Sequence, residues 1–106
     1  MEAERREIQA RRRRGIILKL VREGHENQLS RMDDFELWSI LLKMGQTVGR
    51  QQVATLLQDL QVLDYLDFKS TPNDETGRVE LSQITLTAAG LRFYTRRKSN
   101  DDVLFN

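Results

Sequence analysis

The architecture of this chain follows from its most regular stretch, Thr47-Val48-Gly49-Arg50-Gln51-Gln52-Val53-Ala54-Thr55-Leu56-Leu57-Gln58-Asp59-Leu60. Apolar residues recur there, and just beyond it, at intervals of three and four, which is the period of a helix that buries one side. They are Val53, Leu56, Leu57, Leu60 and Leu63. We predict a helix capped by Thr47 and extending to about Asp64. Its opposite face is polar near the start and is left free to meet a partner.

Two further helices are predicted before this stretch. Apolar residues at helical spacing over residues 16–21 indicate the first, and Gly24 is expected to end it because glycine tolerates the left-handed turn of a helix terminus. Asp33 or Asp34 is expected to cap the second, since Asp33 and Glu36 have the spacing of a capping box. The buried stripe predicted for this second helix consists of Phe35, Trp38, Leu41 and Leu42.

The apolar period changes to two after the third helix. Alternation at Leu66 and Phe68 predicts one strand, and alternation over residues 79–86 predicts another, with the turn formers of residues 70–77 between them. Two strands around a polar loop predict a β-hairpin. A slip in the second alternation indicates an irregularity near Ser82.

At the two ends of the chain, which carry most of its basic residues, we predict a last helix followed by a tail and a charged N-terminal stretch. Thr87 is expected to cap a last helix that runs from Ala88 to about Lys98, with Leu91, Phe93 and Tyr94 as its apolar residues. Residues 99–106 are predicted to be a flexible tail. Residues 1–14 are either a basic arm or the exposed start of the first helix, so the domain proper is expected to span residues 15–98.

Composition narrows the class of protein. The chain has 106 residues, which suits one domain, and 39% are hydrophobic against 31% charged. The absence of cysteine excludes disulfides and cysteine metal sites and favours a reducing, cytoplasmic location. The apolar runs are far shorter than the roughly 20 residues that span a bilayer, so no membrane partner is expected.

The order of helix, helix, turn, helix and hairpin resembles the winged helix-turn-helix superfamily. Residues 47–60 are similar to its recognition-helix pattern, and Ile84-Thr85-Leu86-Thr87-Ala88-Ala89-Gly90 is similar to the segment that closes the wing in bacterial regulators of the MarR and PadR type. Asp64 departs from the pattern, because such proteins usually have glycine there. The resemblance covers about residues 15–98 and implies an α+β winged helix: a three-helix bundle with a helix-turn-helix, a β-hairpin wing and a C-terminal helix.

This resemblance implies a DNA-binding transcriptional regulator whose third helix enters the major groove of duplex DNA. Arginine can pair with guanine and glutamine with adenine, so the polar face of that helix is able to read bases. The residues predicted for this role are Gly49, Arg50, Gln51, Gln52 and Thr55. The cations predicted to support DNA binding, mainly through phosphates, are Arg11, Arg12, Arg13, Arg14, Lys19 and Arg78. A homodimer through the terminal helices would double this footprint.

Other readings of the same residues stay open. Residues 32–90 carry four Lys and Arg against nine Asp and Glu, and the wing tip holds Asp74 and Glu75. This acidic balance favours an alternative function, a winged-helix adaptor that binds a protein partner in place of DNA. The arginine run could also pair within its own helix with Glu2, Glu4 and Glu7. His25 is the only histidine, and without a nucleophile motif or metal-ligand spacing we expect neither an enzyme nor a cofactor.

Overall fold

Four helices and one antiparallel hairpin make up the computed structural model, which describes residues 2–26, 32–96, 100 and 102–105. In chain order the elements are α1 (Glu2–Glu26), α2 (Asp34–Lys43), α3 (Arg50–Val62), β1 (Leu66–Asn73), β2 (Arg78–Leu86) and α4 (Ala88–Arg96). The protein is therefore mixed α+β, as the sequence predicts. None of the described helices has the length and apolar character that a bilayer crossing requires.

The first helix is longer than the apolar pattern alone predicts. Its charged beginning is helical from Glu2, so residues 2–14 are the start of α1 and not a separate arm; residues 2–9 are exposed, whereas Arg11 and Arg14 are half-buried. The prediction that Gly24 ends the helix is wrong, because α1 continues to Glu26. Gly24 is buried where a Cβ would lie 3.1 Å from Cε of Met32, so glycine there permits a close approach. The side chain of His25 lies outside the described residues.

The second helix has the predicted cap but a different buried face. The backbone N–H of Glu36 donates to Oδ1 of Asp33 at 2.8 Å, which confirms Asp33 as the N-cap. Leu37 and Leu41 are fully buried, whereas Phe35 is 51% exposed and Leu42 is 43% exposed. The predicted stripe was therefore wrong at two positions. The helical period fixes the spacing of buried residues, but packing against α3 fixes which edge is turned inward.

The third helix buries the predicted ladder. Val53, Leu56, Leu57 and Leu60 are all in the core. The N-cap is Gly49, so the prediction of Thr47 is wrong. Thr47 lies two residues too early, and its backbone carbonyl accepts a hydrogen bond from Arg13 instead.

The exit from α3 keeps the backbone shape that glycine would supply. Asp64 has φ of +64°, in the left-handed region that favours glycine, and the backbone N–H of Tyr65 donates to the carbonyl oxygen of Leu60 at 3.0 Å. The departure at Asp64 therefore changes the residue without changing the turn that leads into β1.

The hairpin contains the irregularity predicted near Ser82. Asp67 pairs with Thr85, whereas Lys69 pairs with Ser82, so β2 carries one extra residue between these pairs. Gln83 lies in this bulge with φ of +53°. The predicted loop over residues 70–77 is too long, because cross-strand pairing continues to Asn73 and Arg78 and leaves only residues 74–77 in the turn.

The fourth helix begins as predicted and is held against the hairpin. The backbone N–H of Gly90 donates to Oγ1 of Thr87 at 2.9 Å, which confirms the cap. A Cβ on Gly90 would lie 1.7 Å from the carbonyl oxygen of Tyr65, so only glycine fits this crossing. The helix is described to Arg96, and the predicted extension to Lys98 lies outside the described residues.

The C-terminal segment packs where a flexible tail was expected. Val103 is fully buried, and the backbone N–H of Leu104 donates to the carbonyl oxygen of Arg11 at 3.0 Å. The ring of Phe105 lies 5.4 Å from the ring of Phe93, centroid to centroid. The flexible-tail prediction is therefore wrong for residues 102–105, which close the core against the middle of α1.

Candidate functional site

An open groove lies between the start of α3 and the hairpin. Its volume is about 630 Å³. One wall is α3 with the first residue of α2, and the other is the turn and the outer half of β2. The lining residues are Asp34, Gly49, Arg50, Gln51, Ala54, Gln58, Thr76, Gly77, Arg78, Val79, Glu80 and Leu81. The groove thus brings together four residues predicted to bind DNA from separate parts of the chain: Gly49, Arg50, Gln51 and Arg78.

Arg50 is held in place by α2. Its Nη2 atom lies 3.6 Å from Oδ1 of Asp34, and its guanidinium lies 5.2 Å from the ring centroid of Phe35. Asp34 is the one buried charged residue in the described part of the chain. A buried carboxylate is costly without a positive partner, so Arg50 has a structural role whatever else it contacts.

Some side chains on the polar face of α3 form hydrogen bonds within the described part of the protein, and others do not. Gln51, Thr55 and Gln58 are exposed, and Oγ1 of Thr55 donates to the carbonyl oxygen of Gln51 at 3.1 Å. Gln52 is also exposed, but its Oε1 accepts the backbone N–H of Gly49 at 2.8 Å and serves as half of the helix cap. Within the described residues, the side-chain amides of Gln51 and Gln58 form no hydrogen bond.

The hairpin wall combines a cation, an apolar side chain and an acid. Arg78 and Val79 are exposed at the groove, and Oε1 of Glu80 accepts a hydrogen bond from Nδ2 of Asn73 at 2.9 Å. The tip beyond it is acidic, with Asp74 and Glu75 exposed. The charged residues that line the groove are two acids and two arginines, so their formal charges cancel.

The arginine run does not line the groove. Arg11 donates to the carbonyl oxygen of Asn100, and Arg14 donates to the carbonyl oxygen of Asp102 at 2.9 Å and to Oδ2 of Asp59 at 3.1 Å. Among the described residues, the expected pairing within α1 is found for Arg14, whose Nη1 lies 3.8 Å from Oε1 of Glu7. These contacts tie α1 to α3 and to the C-terminal segment.

The other three predicted cations of α1 differ in exposure. Arg12 is exposed. Arg13 donates to the carbonyl oxygen of Thr47 at 3.3 Å, which places it beside the turn that precedes α3. Lys19 is exposed, with Nζ 3.9 Å from Oε1 of Glu23 on the same helix. The six predicted cations therefore form no single cluster.

Sequence reasoning named four of the twelve lining residues and missed the other eight, among them Gln58 and Val79. Gln58 follows Gln51 by seven residues, which is close to two turns of helix, so the shared face could have been read from the spacing. Val79 was assigned to the alternating strand pattern, yet it is 56% exposed because the outer half of the hairpin has no layer packed on it.

No protein-family model, curated protein or solved structure matches this chain. The resemblance to MarR and PadR type regulators stays a prediction from the sequence, and function is inferred from the side chains of the groove and the helices around it.

Proposed function

We propose that this protein is a winged helix that binds duplex DNA through the groove, as transcriptional regulators do. The observation that supports this most is the exposed polar face of α3, which opens into a groove with Arg50 on one wall and Arg78 on the other. A helix presented in this way fits the major groove of B-DNA, which is about 12 Å wide. The hairpin would then lie against the neighbouring phosphate backbone.

The net formal charge of the groove determines how strongly the groove itself attracts DNA. Because the lining acids and arginines cancel, the groove itself offers little net attraction for phosphates. Attraction must come from cations nearby, of which the exposed Arg12 and the half-buried Arg13 on α1 are candidates. The acidic tip at Asp74 and Glu75 would stay outside the minor groove.

A matched pair of charge reversals tests the proposal. Arg78→Glu changes a groove cation, and Arg92→Glu makes the same change on α4, where the side chain is exposed and does not line the groove. In a mobility shift with random-sequence duplex, we expect Arg78→Glu to weaken binding at least about fivefold and Arg92→Glu to change it little. Equal effects of the two changes would count against the groove.

A second candidate function has its own support. Phe35, Leu42 and Met44 are exposed on and just after α2, and the hairpin tip is acidic. Exposed apolar side chains are suited to a protein partner and exposed acids to a basic one, as the adaptor alternative requires. Failure of the full-length protein to retain any duplex at 50 mM salt would favour this function over DNA binding.

The predicted homodimer also stays a proposal. Of the three apolar residues assigned to the last helix, Phe93 stacks on Tyr65 with ring centroids 4.4 Å apart, and Tyr94 contacts Phe105. Leu91 is partly exposed. A dimer through α4 would therefore have only a small apolar seam and would need additional contacts from α1.

A further inference from the structure

We propose that the groove selects A·T base pairs, with Gln51 and Gln58 reading adenine and the methyl group of Thr55 contacting thymine. This inference rests on the proposed function, since it specifies which duplex the same groove prefers. It adds Gln58, which the sequence pattern did not single out, to the residues that determine base specificity. It excludes Gln52 from them.

The assignment depends on whether the side-chain amide of each glutamine already forms a hydrogen bond within the protein. A glutamine recognises adenine by two hydrogen bonds, accepting from N6 with its oxygen and donating to N7 with its nitrogen. Both atoms must be uncommitted for this pairing. Gln51 and Gln58 meet the condition among the described residues. Gln52 does not, because its oxygen holds the backbone N–H of Gly49, and Gln61 does not, because its Nε2 donates to Oδ1 of Asp67 at 3.0 Å.

Thr55 lies between the two free glutamines on the same face. Its hydroxyl proton is used by the carbonyl oxygen of Gln51, one turn earlier. Beyond this hydrogen bond, Thr55 offers an outside partner its methyl group and the lone pairs of Oγ1. Apolar contact with the C5-methyl group of thymine is the match for such a side chain in the major groove.

The spacing of the free amides fits consecutive base pairs. Seven residues of α-helix rise about 10.5 Å and return to nearly the same face after two turns. Base pairs are stacked about 3.4 Å apart. Gln51 and Gln58 can therefore reach bases about two to three steps apart, with Thr55 between them.

The arginines of the groove are poorly placed to compete for guanine. Recognition of guanine needs a guanidinium free to form two parallel hydrogen bonds with O6 and N7. Arg50 is held between the carboxylate of Asp34 and the ring of Phe35. Arg78 is on the opposite wall, on the strand that would face the phosphate backbone. The groups of α3 that are available to read bases are therefore the side-chain amides of Gln51 and Gln58 and, on Thr55, the methyl group and the lone pairs of Oγ1.

Selection from a pool of random duplexes tests this inference with the full chain. We expect the retained sequences to share a short block of three to four base pairs that contains A·T pairs two to three steps apart. We expect Gln58→Arg to change one of these positions to G·C, because arginine prefers guanine. Replacing that A·T pair should weaken binding of the unaltered protein by about 5- to 150-fold.

Gln61→Arg is the matched control. It adds the same charge to the same helix at an exposed position that does not line the groove, so it should leave the A·T preference unchanged. Duplex binding with no base preference, or a preference that Gln58→Arg does not alter, overturns this inference and leaves the proposed function standing. Retention of no duplex at all overturns both.

Discussion

Nη2 of Arg50 lies 3.6 Å from Oδ1 of Asp34, which joins the first residue of α3 to the first residue of α2. The sequence predicts Arg50 as a base-reading residue, whereas this contact makes it the partner of a buried carboxylate. Charge reversal at Arg50 would therefore disturb folding and binding together. Tests of DNA recognition belong at Gln58 and Arg78, whose side chains hold no buried charge.

Removal of Arg50 should lower stability. In Arg50→Ala, the carboxylate of Asp34 would lose its cation while staying buried, and we expect the free energy of unfolding to fall by about 1–3 kcal/mol. The lower part of the range for broken ion pairs applies because Arg50 is itself partly exposed. Urea unfolding measures the change. A fully stable Arg50→Ala would contradict the structural role, and the double variant with Asp34→Asn should recover part of the loss.

Within the arginine run, we expect Arg14 to contribute to stability and Arg12 to contribute little. Arg14 is bonded to Asp59 and to the carbonyl oxygen of Asp102, so Arg14→Ala should cost about 1–2 kcal/mol of stability. Arg12 is exposed, so Arg12→Ala should change stability by less than about 0.5 kcal/mol. Thermal unfolding of both variants distinguishes them, and equal melting temperatures would be inconsistent with the packing of α1.

Two valines test whether the C-terminal segment belongs to the core. Val103→Ala removes two methyl groups from a fully buried position and should cost about 2 kcal/mol. Val62→Ala makes the same change where the side chain is 85% exposed, and stability should stay within about 0.5 kcal/mol. If Val103→Ala is as stable as the unaltered protein in urea, the segment does not pack as described.

Gly90→Ala should be destabilising although alanine favours helices. Helix propensity alone would add about 1 kcal/mol of stability. The added Cβ would meet the carbonyl oxygen of Tyr65, so we expect a net loss of about 3 kcal/mol or more. Gly49→Ala is the control, because its Cβ would have no neighbour nearer than Oε1 of Gln52 at 3.8 Å. A melting temperature for Gly90→Ala above that of the unaltered protein would rule out the close approach of α4 to the backbone of Tyr65.

Local patterns were sufficient for some parts of this fold and not for others. The ladder of α3, the caps at Asp33 and Thr87 and the bulge beside Ser82 depend on neighbours within a few residues, and each was predicted correctly. Phe35 was misplaced because period does not determine which face a helix buries. The packing of Val103 was missed because it depends on α1, which lies about ninety residues away in the chain.

The candidate site was predictable only in outline. The polar face of α3 follows from the apolar ladder opposite it, so Gln51 and Thr55 could be named in advance. The sequence could not show that Gln52 closes the helix terminus or that Arg50 pairs with Asp34, since both depend on side-chain geometry. The role of the arginine run in DNA binding was overestimated for the same reason. The sequence shows the positive charge of these residues, but it does not show the carbonyl oxygens that accept their hydrogen bonds.

The dependence of duplex affinity on salt concentration is the sharpest test of duplex binding through the groove. Because the groove carries no net charge and few cations near it are free, binding should involve only about two to four phosphates. The plot of log affinity against log salt concentration should then have a slope of about −2 to −4, measured by fluorescence anisotropy with the full chain. No binding at 50 mM salt would contradict DNA recognition, and a slope steeper than about −6 would assign binding to the arginines of α1 in place of the groove.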